Sequence, residues 1–225
     1  MGTEDEIFNC ASSRISIRFT SPIFLPDFPS FVEQLEKKGF TQLGRLDFPT
    51  PPNAFNVSYE ISDQIATKDD IIVDLDTSKQ YLGVQLMKSD EVHNIFTEIR
   101  DLFLKNNPEL EKRIWFYEFQ AGYRYHSKST AIEKMAKTAQ NLTLLDEASK
   151  LTGKRLSLRG VTMSSYNQEP NNESYTDLSI IPDLNNSKLY NIVTIFRDKA
   201  EGSVISFSKH AHEKIRKLLE NIDSS

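Results

Sequence analysis

Residues 71–108 read IIVDLDTSKQYLGVQLMKSDEVHNIFTEIRDLFLKNNP, and they set the fold class. Residues 71–76 and 80–87 are apolar and β-branched runs on either side of the polar turn Thr77-Ser78-Lys79, the pattern of a hairpin. Ser89 is then expected to cap a helix, with Asp90 and Glu91 complementing its positive N-terminus. Val92, Ile95, Phe96, Ile99, Leu102 and Phe103 recur at helical spacing and form one apolar stripe. Asn107-Pro108 stops it. A hairpin running into an amphipathic helix makes this an α+β chain with antiparallel pairing.

Working towards the N-terminus, residues 55–61 and 42–48 read as strands separated by Pro49, Pro51 and Pro52, which cannot donate to a sheet ladder. Before them, Ser30 and Glu33 fit a capping box, Lys37 and Lys38 occupy a last turn, and Gly39 ends a short helix. Residues 14–19 alternate, with Ile15, Ile17 and Phe19 on one side of a strand and Arg14, Ser16 and Arg18 on the other. Residues 1–12 show no periodicity and are expected to be a flexible tail.

Towards the C-terminus, residues 113–126 form a long strand whose face carries Trp115, Tyr117, Phe119, Tyr123 and Tyr125. Thr130 and Glu133 can box a helix, a second helical segment ends at Gly153, and residues 155–162, 175–181, 189–196 and 203–207 read as strands. Lys199-Ala200-Glu201-Gly202 is read as a hairpin turn, and a last helix starts at Ser208. Residues 13–107 and 113–223 thus share one order: strand, helix, four strands, helix. That predicts an internal duplication, with a largely antiparallel curved sheet and helices on one face.

Residues 189–219, LYNIVTIFRDKAEGSVISFSKHAHEKIRKLL, are similar in layout to the end of a repeat in the TATA-box-binding-protein fold. The element order over residues 14–222 resembles that family. The resemblance implies one curved sheet with helices on its convex side and lends weight to nucleic-acid binding. The phenylalanine pairs that the family wedges into DNA have no counterpart in this chain.

At 225 residues the chain is long enough to bury a core without a metal or disulfide staple. Its single cysteine, Cys10, cannot form an internal disulfide, which fits a reducing compartment, and no membrane-spanning run or leader is read. The expected location is cytoplasmic. The net charge of −5 is uneven, with −8 on residues 1–110 and +3 on residues 111–225.

The pattern of greatest chemical interest is a period-two basic stripe. Arg14-Ile15-Ser16-Ile17-Arg18 and Arg155-Leu156-Ser157-Leu158-Arg159 each present two arginines on the non-core side of a strand. Residues 113–126 add Gln120, Arg124 and His126. Arginine forks suit phosphate or carboxylate, so the face can take nucleic acid or an acidic protein segment. Alternatively, these arginines pair with Glu60, Asp74, Asp76 and Glu118. The aromatic stripe Trp115–Tyr125 is either a base-stacking platform, the wall of a small-molecule pocket between sheet and helix, or core. Ser208, Lys209 and His210, at the expected helix start, form a candidate anion site. Asp74 and Asp76 share a strand face, as in metal-dependent nucleotidyl transfer, but the third acid and the phosphate loop are missing. No cofactor motif is present. The expectation is a non-enzymatic binding protein with no cofactor and no resident metal.

Overall fold

The computed structural model describes residues 8–23, 28–43, 62–128, 150–151, 160–165 and 171–224. Among these residues nine antiparallel strands form one open, curved sheet: β1 (Phe8–Phe19), β2 (Thr41–Gln42), β3 (Ser62–Lys68), β4 (Ile71–Asp76), β5 (Tyr81–Met87), β6 (Ile114–His126), β7 (Val161–Ser164), β8 (Tyr175–Pro182) and β9 (Leu189–Asp198). The strand order is β2-β3-β4-β5-β1-β6-β9-β8-β7. Helices α1 (Phe28–Lys37), α2 (Val92–Asn106) and α3 (Glu201–Ser224) pack against one another and against one face of this sheet. No helix among the described residues is long and apolar enough to cross a membrane.

The core lies between sheet and helices. Ile15, Ile17 and Phe19 of β1 and Tyr117, Phe119, Tyr123 and Tyr125 of β6 point into it, as the alternation requires. They meet Val92, Phe96, Ile99 and Phe103 of α2 and Val204, Ala211, Ile215 and Leu219 of α3. Phe96 stands edge-on to Tyr117 at 6.3 Å, and Phe119 to Phe207 at 5.9 Å. The aromatic stripe is therefore core, apart from Trp115.

Several expectations are corrected. Residues 8–12 are not a tail: Phe8 and Cys10 are buried in β1, and Cys10 faces Tyr123 across the ladder. Ser30 lies inside α1, which begins at Phe28, so it is not the cap. Gly39, with φ of 85°, does end that helix, in a conformation that side-chain-bearing residues avoid. Glu91 rather than Ser89 precedes α2; the Ser89 hydroxyl accepts the Glu91 N–H at 3.2 Å while its carbonyl accepts the Ser13 hydroxyl at 2.6 Å. Strand β3 was not foreseen. A bulge between Gln64 and Ala66 buries Ile65 and Ala66 in succession, which erases the period-two signal.

The largest correction is at the C-terminal end. Residues 203–207 are helical, not a strand, because α3 begins at Glu201 and follows β9 directly. Asp198 Oδ1 accepts the Ala200 N–H at 2.7 Å and starts the turn. Val204, Phe207, Ala211, Ile215 and Leu219 then share a helical face. The expected strands at 42–48 and 55–61, the helix from Thr130 and the strand at 155–162 lie largely outside the described residues.

The buried thiol has a measurable consequence. Burial raises Cys10 from 9.0 to about 12, and Tyr117 from 10.0 to about 12. Unfolding releases both protons at high pH, so stability falls as pH rises from 9 towards 12. Cys10 is expected to resist alkylation at pH 8.5 in the folded protein and to react on unfolding in urea. Rapid labelling without denaturant overturns this placement.

Candidate functional site

The face of the sheet opposite the helices carries the polar residues of the central strands. Arg14 and Arg18 of β1 flank Tyr81 of β5, their guanidinium carbons 4.9 and 5.0 Å from its ring centroid. Cations on an aromatic face are held by the ring quadrupole. Arg14 Nη2 also donates to Asp74 Oδ2 at 2.5 Å, so its charge is matched. Burial pushes the Asp74 carboxyl up, and Arg14 offsets only part of that shift.

Gly83 makes this pair possible. A Cβ there would stand 2.4 Å from Asp74 Oδ1 and 2.6 Å from Arg14 Nη2. Gly83→Ala is expected to destabilise the protein by about 1–3 kcal/mol through overpacking. Urea denaturation checks this; an unchanged midpoint shows that the pair moves aside freely.

Arg18 differs from Arg14. Its Nη1 donates to the Lys79 carbonyl at 2.6 Å, and no carboxylate among the described residues lies within ion-pair reach. Lys79 is fixed in turn by Asp76, whose Oδ1 accepts the Lys79 N–H at 2.6 Å and whose Oδ2 lies 3.2 Å from Nζ. For Asp76 the raising effect of burial is outweighed by the Lys79 N–H, the Ser78 hydroxyl and the Lys79 ammonium, and the carboxyl sits below its usual range. Asp74 and Asp76 are thus each engaged with a cation rather than with each other.

A further arginine, Arg197 of β9, had no signal in the alternation of β1 or β6. Its Nε donates to buried Glu118 at 2.9 Å, its Nη1 donates to the Asn172 carbonyl at 3.0 Å, and its guanidinium lies 4.2 Å from the Phe116 ring centroid. Glu118 also accepts the Gln120 amide at 2.7 Å.

Trp115 is the other residue that sequence alternation misplaced. A register shift between Arg18 and Phe19 turns it out of the core. Its Nε1 donates to Glu173 Oε1 at 3.1 Å, and Glu173 pairs with Lys199 at 2.5 Å. Two clefts adjoin at Trp115 and Asn171. One, of about 180 Å³, includes Arg18, Lys79, Phe116 and Arg197 in its wall; the other, of about 620 Å³, includes Asn172, Glu173, Asp198 and Lys199.

Of the expected arginine face, the structure brings Arg14 and Arg18 together around Tyr81. Arg124 and His126 are exposed at the opposite end of β6. Phe116, the partner of Arg18, and Arg124 are eight residues apart, so about 26 Å separates them along the strand. Arg155, Arg159 and Glu60 lie outside the described residues.

The anion site expected at Ser208, Lys209 and His210 is overturned. These residues sit in the interior of α3, past its first turn, where backbone N–H groups are used by the helix. Ser208 is buried and its hydroxyl donates to the Ile205 carbonyl at 2.9 Å, while Lys209 and His210 face outwards. No known family model matches this chain, and no curated protein matches it.

Proposed function

We propose that the protein is a non-enzymatic binding protein that takes an anionic macromolecule on the open sheet face, and that a single nucleic-acid strand is the class that fits. The observation that carries this reading is Arg18, stacked on Tyr81 and unmatched by any described carboxylate, on the same face as exposed Arg124. Cations interleaved with aromatic rings are what strand-binding surfaces use, because every base has a stackable face. Among the described residues, helices α1, α2 and α3 pack on the other face.

The strand order supports a duplicated, TATA-box-binding-protein-like ancestry within the same proposal. From the central pair outwards the order is β1, β5, β4, β3, β2 on one side and β6, β9, β8, β7 on the other. In each direction the first strand of a half is central and the rest follow in reverse.

Fluorescence anisotropy with labelled single-stranded DNA and RNA tests the reading. Binding is expected at low salt and to weaken with salt, with a log–log slope of about 0.7 per phosphate neutralised. Arg18→Ala and Arg124→Ala are each expected to reduce affinity and lower that slope. Absence of binding at low salt, or binding indifferent to both substitutions, overturns it; selective binding of a polyglutamate peptide transfers the face to acidic proteins.

A further inference from the structure

We infer that the two adjoining clefts at Trp115 form one subsite for a nucleoside phosphate, with the phosphate between Arg18 and Lys79 and the planar base against the Trp115 indole. This rests on the reading of the open face as an anion-binding surface and deepens it.

The first support is where the tryptophan lies. The chain has a single tryptophan, and it is turned out of an otherwise aromatic core stripe by a bulge. Bulges re-aim side chains at sites, and a partly exposed indole forfeits burial that Tyr117 and Phe119 obtain on the same strand. The indole is held in place from its edge: Nε1 is bonded to Glu173, which Lys199 anchors. Phe116 tilts against the indole with ring centroids 4.9 Å apart, which leaves the face turned away from Phe116 to serve as a stacking surface.

The second support is the division of chemistry between the clefts. The smaller one is lined by Arg18, Lys79 and Arg197, and no carboxylate among the described residues lines it. Lys79 is held by Asp76, and Arg18 by the Lys79 carbonyl, so the two cations are positioned in advance of a ligand. A phosphate in this cleft gains charge-assisted hydrogen bonds at little ordering cost. The larger cleft, within the usual size range for small-ligand sites, is lined by amides and acids that can meet the donors and acceptors of a base or the hydroxyls of a ribose. Asn171 lies in both walls and bridges the two chemistries.

The sole tryptophan makes the test direct. Titration with AMP, with ribose 5-phosphate and with inorganic phosphate is followed by Trp115 emission. AMP is expected to quench it and to bind at least tenfold more tightly than inorganic phosphate. Lys79→Ala and Arg18→Ala are expected to weaken AMP binding tenfold or more, while Lys217→Ala, exposed on α3, leaves it unchanged. The same samples are titrated with a labelled oligonucleotide by anisotropy. If the oligonucleotide binds while Trp115 emission stays unmoved and AMP does not compete, the subsite is overturned and the macromolecular reading stands. If AMP quenches Trp115 and no oligonucleotide binds, the subsite stands and the macromolecular reading falls. Equal affinity for AMP and inorganic phosphate overturns the role of the indole. Circular dichroism of each variant confirms that it is folded.

Discussion

Glu118→Ala is expected to lower the free energy of unfolding by about 3–5 kcal/mol, the largest effect of any single polar substitution proposed for this protein. The Glu118 side chain is only 8% exposed and that of its partner Arg197 14%. Glu118 accepts from Arg197 and from Gln120, so its removal takes the same carboxylate from both. Arg197 keeps the Asn172 carbonyl and its place over Phe116. A buried cation without its carboxylate is the costly state. The measurement is the urea midpoint at constant slope. Glu118→Gln, which keeps a hydrogen-bond acceptor but loses the charge, is expected to fall between the wild type and the alanine variant. A loss below about 1 kcal/mol for Glu118→Ala shows that the pair is effectively solvated, as exposed pairs are.

Phe103→Ala is expected to cost about 3–5 kcal/mol, through the lost transfer energy of the ring and the cavity it leaves. Phe103 is fully buried on α2, edge-on to Phe31 of α1 at 5.2 Å and 6.2 Å from Phe19 of β1. One ring therefore joins two helices to the central strand, and the site cannot collapse without moving all three. Thermal unfolding followed by circular dichroism gives the size of the effect. A loss comparable to that of an exposed substitution shows that α1 is not docked as described.

The helix stripe of residues 92–103, the hairpin before it and the alternation of β6 were legible because each element shows a single face to the core. Where two signals compete, the sequence misled. Residues 203–207 are β-branched and aromatic enough to read as a strand, yet Val204 and Phe207 continue a helical face with Ala211 and Ile215. The extent of that face settles the matter, and local propensity gives way to packing. The seven-residue displacement of the helix start took Ser208, Lys209 and His210 out of any terminal position. β3 was hidden by a bulge, and Trp115 by a second one.

The candidate site was half legible. Alternation alone put Arg14 and Arg18 on a polar face. It did not show that Asp74 matches Arg14 and leaves Arg18 without a described carboxylate, because that depends on strand order: β5 lies between β1 and β4, and Arg14 reaches Asp74 over Gly83. Nor did it bring in Lys79, Arg197 or Glu173, which reach the site from a turn, a distant strand and a loop.

Hydrophobic periodicity along the chain thus determined the class of this protein, an antiparallel sheet with amphipathic helices packed on it, since burial of apolar area depends on side-chain spacing within each element. Tertiary structure alone decided which charges are matched, that the Trp115 indole is turned out of the core and where a cleft opens. Those depend on strand order, register and bulges, which bring together residues 58 and 60 positions apart and which no local pattern encodes.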